Sequence, residues 1–271
     1  MKTRHVLTLS ALLPVLPMLA ACAAKDGSAD VSPTAAAPAT EAPAATAPAA
    51  ETPAPAPTDT AAPEQPAAAP ARAATPPQGP APVEGTDYVS IPGGQPFDPL
   101  NGKVEVVEMF NYICPACYSF DSQFHAWAAK QPAYVRVTYV PAQFRPDFTV
   151  YAKAYYAADS LGVAGKTHEA VYKAVHLDHA LPGEGQNIDP QKIAEFYARY
   201  GVTAKQFTDA MNSFGVAGKM NKANQFAMRS QIEGTPTVIV DGKYRVKGRS
   251  WDDMLRIADH LIAREHAGAA Q

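Results

Sequence analysis

No aromatic residue occurs before Tyr88, and this asymmetry constrains the fold more than the 271-residue length does. Residues 31 to 82 hold 35 Ala or Pro among 52 positions, with five charged residues and Val31 as their only Leu, Ile or Val. Such a segment cannot bury enough apolar surface to offset the entropy of ordering it, so it is expected to be disordered. The information for a folded core is therefore confined to residues 86–271, one domain of ordinary size.

Charge narrows the partners of that domain. Residues 83 to 271 carry 19 Lys plus Arg and 20 Asp plus Glu, without a basic run of five or more. Nucleic acid and anionic membrane surfaces are bound through clustered positive charge, so both are excluded as main partners. No apolar run of 18 residues follows residue 30, which excludes a membrane-spanning helix there.

The first 21 residues have the form of a secretory signal peptide. Lys2 and Arg4 precede an apolar stretch from Val6 to Ala20, which Pro14 and Pro17 interrupt. The stretch ends Leu19-Ala20-Ala21-Cys22, which resembles a bacterial lipobox and makes Cys22 the expected lipidation site. Acyl chains there would anchor the protein, at about 0.8 kcal/mol of membrane affinity per buried methylene. Residues 22–85 are then expected to form a lipid-anchored tether. If extended, ~60 residues at ~3.1 Å each reach at most about 190 Å.

Setting Cys22 aside leaves two cysteines, Cys114 and Cys117, as one Cys-x-x-Cys pair in an exported and hence oxidising environment. Zinc is the first rival, but a structural zinc site needs four ligands and there is no second Cys-x-x-Cys. His176 and His179 are the only close histidine pair, and they read as surface residues of a loop. A purely structural disulfide is the second rival. A loop of two intervening residues constrains the unfolded chain very little, so this crosslink suits opening and closing better than stapling.

Local patterning places the pair. Val104 to Phe110 reads as a β-branched, mostly apolar strand, and Tyr134 to Val140 as a second. Between them Cys117, Phe120, Phe124 and Trp127 recur at helical spacing, and Pro115 suits a first helical turn. Cys114 thus lies at a helix N-terminus, where unpaired N–H groups and the helix dipole favour a thiolate nucleophile and leaving group. Cys117, inside the helix, becomes the resolving thiol. A disulfide whose reduced form is stabilised in this way is an oxidant.

Helical patterning continues from about Phe148 to Ile232, broken at Gly162, Leu181-Pro182-Gly183, Gly201 and Gly215. Pro236 to Val246 then reads as a hairpin with a two-residue Asp241-Gly242 turn. A closing helix is expected from an N-cap at Ser250 to about Glu265.

Glu108, the run Cys114-Pro115-Ala116-Cys117-Tyr118, and Gly234-Thr235-Pro236-Thr237 before a hairpin together resemble the DsbA family of thiol:disulfide oxidoreductases, over residues 86 to 271. The resemblance implies an α/β thioredoxin fold with an inserted helical domain at about 146–232, preceded by the disordered Ala/Pro-rich segment. It implies a periplasmic monomer that needs no metal or cofactor and oxidises reduced, unfolded exported proteins. A quinone-linked DsbB-type membrane oxidase would recharge it.

By residue, the resemblance makes Cys114 the attacked sulfur and Cys117 the resolving one. Pro236 becomes a cis-proline facing the disulfide, and Thr235 a backbone partner for substrate peptide. Glu108 becomes the buried acid that relays a proton for Cys117, in agreement with its apolar setting in Val-Val-Glu-Met-Phe. Arg136 is the candidate basic partner of that acid. One departure is Ala116, where the family commonly has histidine; without an imidazole beside the thiolate, the disulfide should be less oxidising than the about −120 mV of DsbA. A disulfide isomerase or reductase of the DsbC or DsbG type is the alternative reading. A lipoprotein that holds unfolded peptides around Thr235 and Pro236 without redox chemistry is another.

Overall fold

The computed structural model describes residues 76–269. The expected signal peptide, Cys22 and most of the Ala/Pro tract lie outside the described residues. The elements run β1 (Tyr88–Ser90), β2 (Val104–Phe110), α1 (Pro115–Ala128), β3 (Val135–Pro141), α2 (Pro146–Ser160), α3 (Ala164–His176), α4 (Pro190–Tyr197), α5 (Ala204–Met211), α6 (Phe214–Arg229), β4 (Thr237–Val240), β5 (Tyr244–Val246) and α7 (Trp251–Ala269). A short 3-10 turn over Ala198–Tyr200 extends α4.

Five strands form one sheet in the order β1-β5-β4-β2-β3. Only β2 and β3 are parallel, joined through α1, and the other neighbours are antiparallel. Every residue of β2 is buried, as a strand covered on both faces requires. Strand periodicity then divides its side chains. Val104 and Val106 join Phe120, Phe124 and Trp127 of α1 and Leu255, Ile257 and Leu261 of α7 in one cluster. Val107 and Met109 join a second cluster built mainly from α2 to α6. This is the mixed α/β thioredoxin architecture, with its extra helices between β3 and β4.

Several boundaries differ from the expectation. β1 had no readable signal, because three residues give too short a pattern, and it pairs with β5 as Tyr88 to Val246. The chain touches α7 before residue 86: the Gln78 carbonyl accepts from His260 Nε2 at 3.1 Å and that of Pro80 from Arg256. Gly215 does not break a helix. It lies in the first turn of α6, whose N-cap is Ser213, with Oγ accepting from the Val216 N–H at 3.2 Å. His176 is the last residue of α3 rather than a loop residue. The hairpin ladder pairs Val240 with Tyr244, leaving three residues in the turn instead of two.

Candidate active site: a dithiol at the start of a helix

The loop Asn111–Ile113 delivers Cys114 to the end of the sheet and is held on both sides. Asn111 Nδ2 donates to the carbonyls of Ala142 and Phe148, at 2.9 and 3.1 Å, and its Oδ1 accepts from the Ile113 N–H. Tyr112 is clamped to α3, its hydroxyl 3.0 Å from His168 Nδ1 and its carbonyl 2.7 Å from His176 Nε2. His176 also stacks on Tyr118, with ring centroids 4.8 Å apart. These holding residues were missed in the sequence, since each acts across a long separation along the chain.

Cys114 is itself the N-cap of α1, with Pro115 opening the helix. Its Sγ accepts from the Cys117 N–H at 3.3 Å and lies 3.4 Å from the Thr235 carbonyl. The Thr235–Pro236 peptide is cis and sits against the dithiol through that contact, as the resemblance implied. Both cysteines are free thiols. They are unlike in environment, Cys114 being 8% exposed and Cys117 fully buried. Hydrogen bonding from Cys117, reinforced by Thr235 and the helix-start amides of Cys117 and Ala116, lowers the Cys114 pKa to about 6. Burial pushes the Cys117 thiol well up, and its bond to the Cys114 sulfur adds to this.

Glu108 is buried on β2, and neither carboxylate oxygen has a hydrogen-bond partner among the described residues. Desolvation, then the Asp121 and Cys114 charges, raises its pKa well above the usual carboxylate range. The Glu108 charge also acts on Cys117, raising that thiol's pKa further, and an acid with so raised a pKa is suited to proton transfer. Arg136 is not its partner. Arg136 pairs across the strands with Glu105, 2.8 Å away, on the opposite face of β2, while Tyr139 occupies the position beside Glu108. The odd-even alternation of a strand separates Glu105 from Glu108, and the sequence pattern alone did not choose between them.

A family model, the DSBA-like thioredoxin domain, matches residues 105–261. The chain belongs to the DsbA family. It is 37% identical over 192 residues to the Pseudomonas aeruginosa thiol:disulfide interchange protein DsbA, covering 68% of this chain and 86% of that one. A Burkholderia cepacia protein of the same name is 39% identical over 165 residues, covering 61% and 76%. The crystal structure of the oxidoreductase DsbA from Xylella fastidiosa superposes with a TM-score of 0.67 at 46% identity, covering 69% of this chain and 98% of that one. The chain is accordingly a thiol:disulfide oxidoreductase, and these matches do not favour the DsbC or DsbG type or a non-enzymatic holder.

Proposed function

We propose that this DsbA-family enzyme introduces disulfides into reduced exported proteins in the periplasm, through Cys114 and Cys117. The observation that carries this reading is the asymmetry of the pair: Cys114, the N-cap of α1, is 8% exposed and accepts the Cys117 N–H, with its pKa lowered to about 6, whereas Cys117 is fully buried and burial pushes its thiol well up. A substrate thiolate attacks Cys114 Sγ. The Cys114–Cys117 bond breaks, a mixed disulfide forms, and the electron pair leaves on Cys117, which takes the proton of Glu108. The substrate's second thiolate then attacks the substrate sulfur and releases Cys114 as thiolate. The substrate loses two electrons and the dithiol gains them.

Thr235 and Pro236 offer an edge for extended substrate backbone beside Cys114, and a quinone-linked DsbB-type oxidase would reoxidise the pair. Trapping tests the assignment. Cys117→Ser should accumulate mixed disulfides with exported proteins through Cys114, and Cys114→Ser should accumulate none. Equal trapping by both variants, or by neither, would overturn the roles.

Cys22 is proposed as the lipid attachment, supported by its lipobox setting and by the absence, among the described residues, of any helix long and apolar enough to cross a membrane. Wild type should partition into the detergent phase on cloud-point extraction and Cys22→Ser into the aqueous phase. Aqueous partitioning of both would remove the anchor from the proposal.

A further inference from the structure

The thiol exchange uses no residue of α3, yet one face of that helix is turned to the dithiol loop. His168, Tyr172 and His176 recur every four residues, which places them on one side of a helix. All three meet Tyr112, two residues before Cys114. His168 takes the Tyr112 hydroxyl at 3.0 Å and lies 3.1 Å from Asp121 of α1, while the Tyr172 ring packs edge-on against the Tyr112 ring with centroids 5.1 Å apart. His176, the last residue of α3, takes the backbone instead: its Nε2 lies 2.7 Å from the Tyr112 carbonyl oxygen. A carbonyl only accepts, so Nε2 carries the proton and donates. The same ring stacks on Tyr118, the residue after Cys117, at 4.8 Å between centroids and 11° between planes.

We infer that His176 is a positioning residue of the dithiol, a brace from α3 that holds Tyr112 before Cys114 and Tyr118 after Cys117 and so keeps the Cys114 sulfur within reach of the Cys117 N–H. This rests on the dithiol reading given above. In the oxidised protein the Cys114–Cys117 bond itself closes the turn. In the reduced protein hydrogen bonds alone close it: the Cys114 N–H to the Asn111 carbonyl and the Tyr118 N–H to the Cys114 carbonyl, both at 3.1 Å, and the Cys117 N–H to Cys114 Sγ at 3.3 Å. A brace across the turn therefore stabilises the reduced form more than the oxidised one. Stabilising the reduced form makes a disulfide more oxidising.

The surroundings of the ring fit this role. His176 is half-buried between Tyr118 and Tyr172. Burial, opposed by the bond to the Tyr112 carbonyl and aided by the His179 charge, holds the imidazole below its usual pKa. A neutral ring brings no charge to the thiolate, so its influence runs through geometry, and hydrogen bonds weaken steeply once donor and acceptor are misaligned. The turn has no side chain of its own to replace the brace. Pro115 has no N–H to give, and Ala116 offers the Cys114 sulfur only its backbone N–H.

The test is the glutathione equilibrium of the full-length protein, in which two glutathione thiols give two electrons to the Cys114–Cys117 disulfide and become one glutathione disulfide. His176→Ala should shift this equilibrium about threefold towards the oxidised protein, equivalent to about 15 mV, and raise the Cys114 titration by about half a unit. His176→Gln, which presents an amide N–H to the Tyr112 carbonyl, should recover most of the shift. Tyr118→Leu removes the stack from the other side and should move the equilibrium in the same direction as His176→Ala. A residue that only supports the fold stabilises both redox forms alike. Melting temperatures lowered equally in the oxidised and reduced proteins, with the equilibrium unchanged, would therefore overturn the brace. A shift towards the reduced protein would overturn it as well, and so would His176→Gln behaving as His176→Ala. If His176→Ala does not fold, Tyr118→Leu decides alone, and an unchanged equilibrium there counts against the proposal. A wild type that does not exchange with glutathione at all would strike the dithiol reading instead.

Discussion

The chemistry of this enzyme turns on which sulfur bears the charge, and that is set within one helical turn. Cys114 accepts the N–H of Cys117 at the start of α1, and its pKa falls to about 6, below the about 8.5 of an unstrained thiol. The depressed pKa stabilises the folded reduced form fully above about pH 8.5, and this contribution fades as the pH falls and is gone below about pH 6. The melting temperature of the reduced wild type relative to Cys114→Ser should therefore rise between about pH 5.5 and pH 8.5. A difference independent of pH would mean that no thiolate is stabilised. Ala116 leaves room for more of the same effect. Ala116→His, by placing an imidazole at the helix start, should lower the Cys114 pKa further and raise the reduction potential by about 30 mV per unit. Glutathione equilibrium measures this, and the wild-type value should fall between the about −120 mV of DsbA and the about −270 mV of thioredoxin.

Turns decide where strands and helices stop, and two glycines in this fold should respond to alanine in opposite ways. Gly242 has φ of +65° in the β4–β5 turn, and a Cβ there would lie 1.9 Å from the Gln95 carbonyl oxygen. Gly242→Ala should destabilise by more than about 1 kcal/mol in urea unfolding. Gly218 is an exposed position of α6 with nothing within 4 Å of an added Cβ, so Gly218→Ala should stabilise by about 0.5–1 kcal/mol. Equal effects at the two sites would contradict the turn geometry. The same local physics explains what was legible in the sequence. β2, α1 and α7 carry strong periodicity or caps over many residues, and Asp241-Gly242 announces a turn. β1 is too short for a pattern, and Gly215 misled because a glycine in a first helical turn is tolerated when Ser213 supplies the cap. Cys114 and Cys117 were legible because their spacing is local, and Thr235 and Pro236 through the resemblance of Gly234-Thr235-Pro236-Thr237 to the DsbA family. His168, Asp121 and Tyr112 were not, since only tertiary packing brings a histidine on α3 to a carboxylate on α1. Arg136 was assigned to the wrong glutamate for a related reason, because register, not proximity in sequence, chooses between the two faces of a strand.

The sheet layer and the helices inserted between β3 and β4 share a core rather than merely abutting. Phe110, the last residue of β2, makes ring contacts with Tyr112, Tyr139 of β3, Tyr155 of α2, and His168 and Tyr172 of α3. Fully buried and bridging both layers, it should make them unfold as one unit. The two tryptophans allow this to be read separately from the helices: Trp127 and Trp251 both pack on the α1 and α7 side, and the inserted helices contain none. Tryptophan fluorescence therefore follows the sheet layer, while far-ultraviolet circular dichroism is weighted towards the helical one. In urea the two wild-type transitions should coincide. Phe110→Ala should cost about 3–5 kcal/mol and, by removing the shared ring, move the helical transition to lower urea than the fluorescence transition. Separate transitions already present in the wild type would show that the layers do not depend on each other. The clamp of Tyr112 to α3, and with it the fixed position of the dithiol loop, would then have to be maintained without support from Phe110.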